Sequence, residues 1–151
     1  MQPQTEERDV RVRAAVYDTA MSTGSPPVAS QLSEQLGIPL AEIRDSLERL
    51  AAGRALVLQP ASREILMANP FSAVPTPFAV RAAGRLYFGN CIWDALGIPA
   101  MLKADGEVLA SCACCSEAMT LAIVNQRLKP VSGVVHFAIP AKRWWDDIVY
   151  N

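Results

Sequence analysis

Residues 90–100 read NCIWDALGIPA, and this stretch is the most informative part of the sequence. Its pattern predicts a short helix that begins at Asn90 and ends at Gly97. Cys91 and Asp94 are three positions apart, so on a helix they share one face near its beginning. The helix macrodipole favours anions there, and we expect it to lower the pKa of the Cys91 thiol. A thiol beside a carboxyl group suits soft-metal chemistry, because the carboxyl group gives or takes a proton close to the sulfur.

The neighbours of this pair are apolar. Ile92, Trp93 and Ile98 are expected to raise the pKa of the Asp94 carboxyl group by removing it from water. Two plainer interpretations stay open. A free cysteine commonly packs as a small hydrophobic residue, and an aspartate at a helix start commonly bonds to backbone donors. The pair in an apolar setting is more informative than either residue alone.

The other three cysteines, Cys112, Cys114 and Cys115, fall in a tight turn between predicted strands at 107–110 and 118–124. Adjacent cysteines rarely form a disulfide. The CxCC pattern lacks the two separated pairs of a structural zinc site, whereas thiolate-rich turns suit soft metals such as mercury or monovalent copper. For each of these cysteines, simple packing is the alternative.

The second half of the chain, residues 85–151, is predicted to be a mixed α/β domain with a small, mainly antiparallel sheet. A short strand is expected at 85–88 and a further strand at 131–139. His136 in that last run is expected to pack or to face solvent, since a lone histidine in a strand is rarely catalytic. Trp144 and Trp145 suit a lid over an apolar ligand, although two aromatic residues near a chain end more often pack on the core.

The first half, residues 8–67, is predicted to contain three helices and a hairpin. The helices end near Gly24, Gly37 and Gly53, and the hairpin pairs 55–58 with 64–67. This order resembles a winged helix-turn-helix module. Residues 68–84 contain several prolines and are expected to form a connector, as a linker or a strap over apolar surface. The predicted fold class is therefore α+β, with a winged-helix-like module packed on the second domain.

The charge of the first half disfavours nucleic acid as a partner. Residues 1–60 carry six basic and eight acidic side chains, a net charge of 6 − 8 = −2. The third predicted helix, residues 40–52, carries two arginines against three acidic residues. A recognition helix that faces phosphates should not be net acidic. We therefore expect this module to pack or to cover a substrate.

Composition bounds the class of protein. The 151 residues are 51% hydrophobic and 19% charged, with net charge −1 and mean hydropathy +0.17, which is typical of a compact globular chain. No apolar run approaches the roughly 18 residues of a membrane span, and the N-terminus lacks the apolar stretch of a signal peptide. We expect a cytoplasmic protein with free thiols and no membrane association.

Four segments together resemble the organomercurial (alkylmercury) lyase family. They are residues 87–99, the cysteine turn at 111–116, the run at 131–140 and the segment at 144–150. The helical first module and the proline-rich connector resemble the same family, so the resemblance begins near Val10. NCIWDALGIPA is its most specific part.

The resemblance implies a lyase that breaks carbon–mercury bonds by protonolysis. The products would be a hydrocarbon and thiolate-bound Hg(II), which passes to a mercuric reductase or to small thiols, and no organic cofactor is required. By position, Cys91 would be the first mercury-binding thiol and Asp94 the proton shuttle. Cys112 would match a cysteine that the family uses structurally.

The family's second catalytic cysteine lies on a further strand beyond the segment that corresponds to 147–151, and this sequence ends at Asn151. Cys114 or Cys115 is therefore the predicted second mercury ligand. Two alternatives to the lyase are a non-catalytic cytosolic protein that binds mercury or another soft metal, and a thiol-based transcriptional regulator. A catalytically silent structural relative is the third.

Overall fold

The computed structural model describes residues 2–149, so Tyr150, the last residue of the segment at 144–150, lies outside it. Helix α1, Gln2–Thr23, begins well before the predicted start near Val10. Its first residues lack apolar periodicity, so the pattern could not indicate them, but Gln4, Glu6, Glu7 and Arg8 are good helix formers. Ion pairs from Arg8 and Asp9 to the third helix hold this part of α1 in place.

The rest of the first unit follows the prediction. Helix α2, Ala29–Leu36, ends at Gly37 in the left-handed conformation, and helix α3, Leu40–Ala52, packs on α1 and α2. Strands β1, Val57–Leu58, and β2, Ile65–Ala68, form the antiparallel hairpin. Buried side chains of the three helices and of the hairpin region form the first core, which comprises Val12, Ala15, Val16, Ala29, Leu32, Ile43, Leu47, Leu56, Leu58, Ile65 and Ala68.

The expected connector contributes strands to both sheets. Within residues 68–84, β3, Phe71–Ser72, pairs with β2, and β4, Ala79–Ala82, enters the larger sheet. The structure therefore differs from the expected linker or strap. The prolines suggested a connector without strands. Pro75 and Pro77 lie between β3 and β4, however, so neither strand loses a backbone hydrogen bond to a proline.

The second unit is an antiparallel sheet with one helix. Strands β5, Arg85–Phe88, β6, Gly106–Ser111, β7, Ala118–Val124, and β8, Arg127–Leu128, join β4 in the order β5-β4-β6-β7-β8. Helix α4, Ile92–Leu102, packs against β4 and β6. It extends beyond its predicted end because the last turn buries Ile98 and Pro99. The second core comprises Ala20, Phe71, Val80, Ala82, Tyr87, Ala95, Ile98, Val108, Leu121 and Ile123.

Helix α1 spans both cores, since Val16 lies in the first and Ala20 in the second. The Tyr87 hydroxyl group donates a hydrogen bond of 2.8 Å to the carbonyl oxygen of Met21, which ties the end of α1 to β5. The whole arrangement is the predicted α+β fold. No helix in the described part of the chain has the length and apolar character needed to cross a membrane.

The predicted strand at 131–139 is wrong. These residues have no regular secondary structure and lead into a 3-10 helix at Ala141–Asp146. Val134 is 92% exposed, and His136 is also exposed. The β-branched residues indicated a strand, but such residues stabilise a strand only by packing against neighbours. Gly133, with φ +130°, breaks the extended backbone.

Candidate active site

A close contact between backbones places the candidate thiol at the start of α4. An added Cβ at Gly89 would lie 2.6 Å from the backbone nitrogen of Ala95, so only glycine lets the end of β5 approach the helix so closely. Two residues later, Cys91 is the N-cap of α4 in an extended conformation, and Asp94 lies in the first turn. The helix therefore begins two residues after the predicted start at Asn90, and Cys91 precedes it as the N-cap.

The thiol of Cys91 interacts with the carboxyl group of Asp94, and the backbone amides of Asp94 and Trp93 lie near the same sulfur without making a capping hydrogen bond. Burial raises the pKa of the Cys91 thiol, although these amides act in the opposite direction. The expectation of a lowered pKa is wrong, because desolvation of the thiolate outweighs the helix N-terminus here.

Burial also raises the pKa of the Asp94 carboxyl group above its ordinary value of 3.8. Hydrogen bonds from the Asn90 side chain, the Cys91 thiol and the Asn90 backbone oppose this rise. The predicted rise of the Asp94 pKa is confirmed, but not all of the apolar residues that were expected to surround the carboxyl group do so. Ile98 lies in the core, whereas Trp93 lines the same cavity as Asp94 and is 63% exposed.

Two asparagines form a polar support behind this pair. The side-chain amide of Asn90 donates a hydrogen bond of 2.9 Å to the side-chain oxygen of Asn69. The hydroxyl group of Tyr17 on α1 donates one of 3.1 Å to the backbone oxygen of Asn69. Helix α1 is therefore connected to the site through Asn69 and Asn90. The side-chain oxygen of Asn90 is buried and has no partner within the described part of the chain.

Cys91 and Asp94 line one small cavity of about 90 Å³. For comparison, a water molecule occupies about 30 Å³ in the liquid. The walls are mainly apolar, and the remaining lining residues are Met67, Asn69, Asn90, Trp93, Phe137, Trp144, Ile148 and Val149. The cavity thus admits a small apolar group beside the sulfur.

Trp144 forms part of the cavity wall. Its indole N–H donates a hydrogen bond of 2.8 Å to the Ile139 carbonyl oxygen, and its ring lies 5.1 Å from that of Phe137. Trp145 instead packs under the Arg54 guanidinium group, 5.6 Å from its ring centre. The irregular segment after β8 therefore covers the site.

Asp94 also borders a wider cleft of about 300 Å³, together with Pro70, Gly97 and Met101. This cleft is shallow and open to solvent, so Asp94 borders both the small cavity and a more accessible surface. A cleft of similar volume between α1 and α3 is lined by charged side chains, and two of these, Arg8 and Glu42, pair with each other. It lacks the thiol and the apolar walls of the small cavity.

Sequence reasoning missed several cavity residues. Asn69, Asn90 and Met67 come from the end of β2 and from the segment before α4, and Phe137 comes from the run that was predicted to be a strand. Asn90 adjoins Cys91 in the sequence, which was the one available signal. The others are brought together only by tertiary folding.

The cysteine turn lies between β6 and β7, as predicted. The Cys112 amide donates to the Glu117 carbonyl oxygen, and the Ser116 amide donates to that of Cys112, each over 2.8 Å. Cys114 and Cys115 are exposed, and Cys112 is partly buried. Hydrogen bonds from the amides of Cys115 and Cys114 and from the Cys115 thiol lower the pKa of Cys112.

The turn and Cys91 lie at the same end of the sheet. Phe88 and Leu109 both pair with Ala79, and Cys91 and Cys112 each follow three residues later. The strands β5 and β6 are separated by β4, which places their axes roughly 10 Å apart.

Neither Cys114 nor Cys115 lines the cavity. Within residues 2–149, no three His, Cys, Asp or Glu side chains converge on a point where they could hold a metal ion. The assignment of Cys114 or Cys115 as a second ligand beside Cys91 therefore stays a prediction.

The fold and the site define an α+β protein with a thiol and a carboxyl group in one apolar cavity. The model of the alkylmercury lyase family (MerB) matches residues 71–150, which is more than half of the chain. The chain therefore belongs to the alkylmercury lyase family.

A crystal structure of the mercury-bound form of MerB2 is similar in fold, with a TM-score of 0.64 and 24% sequence identity. The similar region covers 81% of this chain and 58% of that one, so the chain spans less than two thirds of that structure. No curated protein sequence matches the chain.

Proposed function

We propose that this chain cleaves carbon–mercury bonds by protonolysis, giving a hydrocarbon and a thiolate-bound mercuric ion. The observation that carries the proposal is the contact between Cys91 and Asp94 in one small, mainly apolar cavity. A soft thiolate is the preferred ligand for mercury, and the adjacent carboxyl group can move a proton next to the bound metal. Membership of the alkylmercury lyase family supports this activity.

In the first step, Cys91 takes the organomercurial from its carrier thiolate. The Cys91 S–H bond is replaced by an S–Hg bond, and the proton passes to the carboxylate of Asp94. In the second step, another thiolate binds mercury while Asp94 donates its proton to the carbon. The carbon–mercury bond breaks, its electron pair forms the new C–H bond, and two sulfurs hold the mercuric ion. The oxidation state of mercury does not change.

Burial of the pair suits these two steps. At neutral pH a raised thiol pKa keeps the proton on Cys91 until mercury displaces it. A raised carboxyl pKa then makes Asp94 a better proton acceptor than an exposed aspartate. The apolar walls receive the organic group and limit the access of water, which would otherwise compete for the proton.

The second sulfur has two proposed sources. Cys114 and Cys115 lie in the turn at the same sheet end but outside the cavity lining, so they reach mercury only if the turn moves. A small thiol from solution needs no such movement. The product is proposed to pass to small thiols or to a mercuric reductase. A reducing cytoplasm supplies such thiols, and we propose that location for the chain.

A mercury-binding protein without lyase activity is the second candidate function. It is favoured by the finding that, within residues 2–149, Cys91 is the one thiol among the residues that line the cavity. The regulator version is less well supported, because the Arg49 guanidinium group on α3 is held by Asp9 through two hydrogen bonds of 2.8 Å. That arginine is therefore already paired, and a phosphate would have to compete with the carboxylate.

The test is methane release. The reduced chain is incubated with methylmercury and an excess of small thiol, and headspace methane is measured by gas chromatography. We expect methane from the unaltered chain and none from Cys91→Ser. Methane retained by a Cys114→Ser, Cys115→Ser double variant would identify the small thiol as the second ligand, and its loss would identify the turn. Mercury binding without methane would overturn the lyase proposal in favour of the binding protein.

A further inference from the structure

The cysteine turn contains a second pattern besides CxCC. Cys112 and Cys115 have the CxxC spacing, with Ala113 and Cys114 between them. The turn is closed by the two backbone hydrogen bonds of 2.8 Å that link Cys112 to Glu117 and Ser116. This closure sets the position of the first cysteine relative to the fourth.

The two cysteines of this pattern occupy the first and fourth positions of this one closed turn. The Cys115 thiol and the backbone amides of Cys114 and Cys115 act on the Cys112 sulfur and together lower the pKa of its thiol. Cys114 acts on the Cys112 sulfur through its backbone amide, and its thiol is not among the groups that lower the Cys112 pKa.

We propose that Cys112 and Cys115 form a dithiol site for a thiophilic cation of the mercuric or cuprous class, separate from the cavity of Cys91. Binding replaces two S–H bonds by two S–metal bonds and releases two protons to solvent, without oxidation or reduction. The site is independent of lyase activity, because it requires only the turn. Under this assignment Cys112 is a ligand, whereas the family resemblance makes it a structural cysteine.

The number of ligands selects the class of cation. Zinc in a structural site takes four protein ligands, and no third His, Cys, Asp or Glu joins this pair in the described part of the chain. Mercuric and cuprous ions are satisfied by two thiolates in a nearly linear arrangement, and soft thiolates select such metals. A two-thiol turn at the surface therefore fits a soft cation and not zinc.

Chelation gives the pair an advantage over single thiols. When one sulfur has bound the metal, the second is present at an effective concentration on the order of millimolar or more, set by the closed turn. A lone cysteine has no such second sulfur and loses mercury to a small thiol in excess. The exposed side of the turn also leaves the metal open to exchange with other thiols.

The test uses mercuric chloride on the reduced chain carrying Cys91→Ser, so that the cavity thiol is absent. The protein is loaded, passed through a desalting column in glutathione, and assayed for retained mercury. We expect one mercuric ion per chain in this background and in its Cys114→Ser derivative. Adding Cys112→Ser or Cys115→Ser should reduce retention by about tenfold or more, since the chelate is lost. Circular dichroism confirms that each variant is folded.

Three outcomes would overturn the proposal. One is the absence of retained mercury in the Cys91→Ser background. Another is retention that survives Cys112→Ser but is lost with Cys114→Ser, which would assign the metal to the adjacent pair Cys114 and Cys115. The third is equal retention in all variants. None of these results depends on methane release, so the failure of this site and the failure of the lyase proposal are distinguishable.

Discussion

The thiol of Cys91, the N-cap of α4, interacts with the carboxyl group of Asp94 in the first turn of that helix, and burial raises the pKa of both. Because their ordinary values, 9.0 and 3.8, are far apart, the pair holds one proton over a wide pH range. That proton resides on sulfur before mercury binds. The proposed chemistry consists of moving it from sulfur to carbon through the carboxyl group.

Replacing Asp94→Asn separates mercury binding from bond cleavage. The amide has nearly the same shape but cannot accept the thiol proton, so we expect methane release to fall by about 10²- to 10⁴-fold, the usual value of general acid–base catalysis. Methylmercury should still bind at Cys91, which is measured by protein-bound mercury after desalting. Cys91→Ser is the matched control and should lose both binding and methane. Full activity in Asp94→Asn would remove the carboxyl group from the mechanism.

The activity should be flat at intermediate pH and fall at both ends. Below the pKa of Asp94 the carboxylate is protonated and cannot receive the thiol proton, and above the pKa of Cys91 the pair has lost its proton. The acid limb of kcat/KM should therefore lie above pH 3.8 and the alkaline limb above pH 9.0. Single-turnover methane release over a pH series measures both limbs.

Asn90→Leu should move the acid limb to higher pH. The Asn90 side chain lowers the pKa of the Asp94 carboxyl group, so its removal lets burial raise that pKa further. Asn69→Ala removes the acceptor behind Asn90 but leaves the Asn90 side chain, and its limb should stay in place. The small thiol titrates equally in all samples and cancels in the comparison. A limb that moves to lower pH in Asn90→Leu would contradict the assigned direction.

Two glycines of the site region should respond in opposite ways to alanine. At Gly89 the new Cβ would lie within 2.6–2.9 Å of Ala95 atoms, so we expect a loss of about 1–3 kcal/mol in the free energy of unfolding. At Gly97, inside α4, the nearest atom is 3.9 Å away, and Gly97→Ala should gain about 0.5–1 kcal/mol from helix propensity. Urea denaturation measures both. Equal effects would mean that α4 adjusts its position freely.

Local signals allowed much of the fold to be predicted. The glycine stops after the first three helices, the hairpin and the strands around the cysteine turn all agree with the structure. Cys91 and Asp94 were predicted to share a face because three-residue spacing has a definite meaning on a helix. These features depend on neighbours in the sequence, which is why a single sequence indicates them.

The remaining features depend on distant partners. The run at 131–139 has the residues of a strand but forms an irregular wall of the cavity, and only the tertiary structure decides between these. The direction of the Cys91 pKa was wrong because burial by distant residues is not visible in the helix itself. Asn69 lies in the tight turn between β2 and β3, but its hydrogen bond with Asn90 joins residues 21 positions apart, which the sequence does not indicate.

Tyr87→Phe should weaken the contact between α1 and the sheet without changing the core. Tyr87 is fully buried, and its hydroxyl group donates a hydrogen bond to the Met21 carbonyl oxygen near the end of α1. Removing the hydroxyl leaves that carbonyl oxygen unpaired, which should cost about 1–3 kcal/mol in the free energy of unfolding. Tyr17→Phe is the comparison, because its hydrogen bond to Asn69 is exposed and should contribute less. A larger loss in Tyr17→Phe would contradict this ranking.

Trp144 should discriminate between organic groups of different size. It lines the cavity with Phe137, so a phenyl group bound to mercury at Cys91 would contact this wall, whereas a methyl group is too small to use it fully. We expect Trp144→Leu to lower kcat/KM for phenylmercury by roughly tenfold, since an aromatic pair contributes about 0.5–1.5 kcal/mol beyond its buried area. The loss for methylmercury should be smaller.

Trp144→Phe is the control, because it keeps an aromatic ring against Phe137 and loses the indole hydrogen bond to the Ile139 carbonyl oxygen. If the ring contact determines the preference for phenylmercury over methylmercury, the ratio of the two kcat/KM values in this variant should stay close to that of the unaltered chain. If the indole bond holds the whole segment in place, both variants should lose activity on the two substrates equally. That second result would make Trp144 a positioning residue for the wall and not a contact for the organic group.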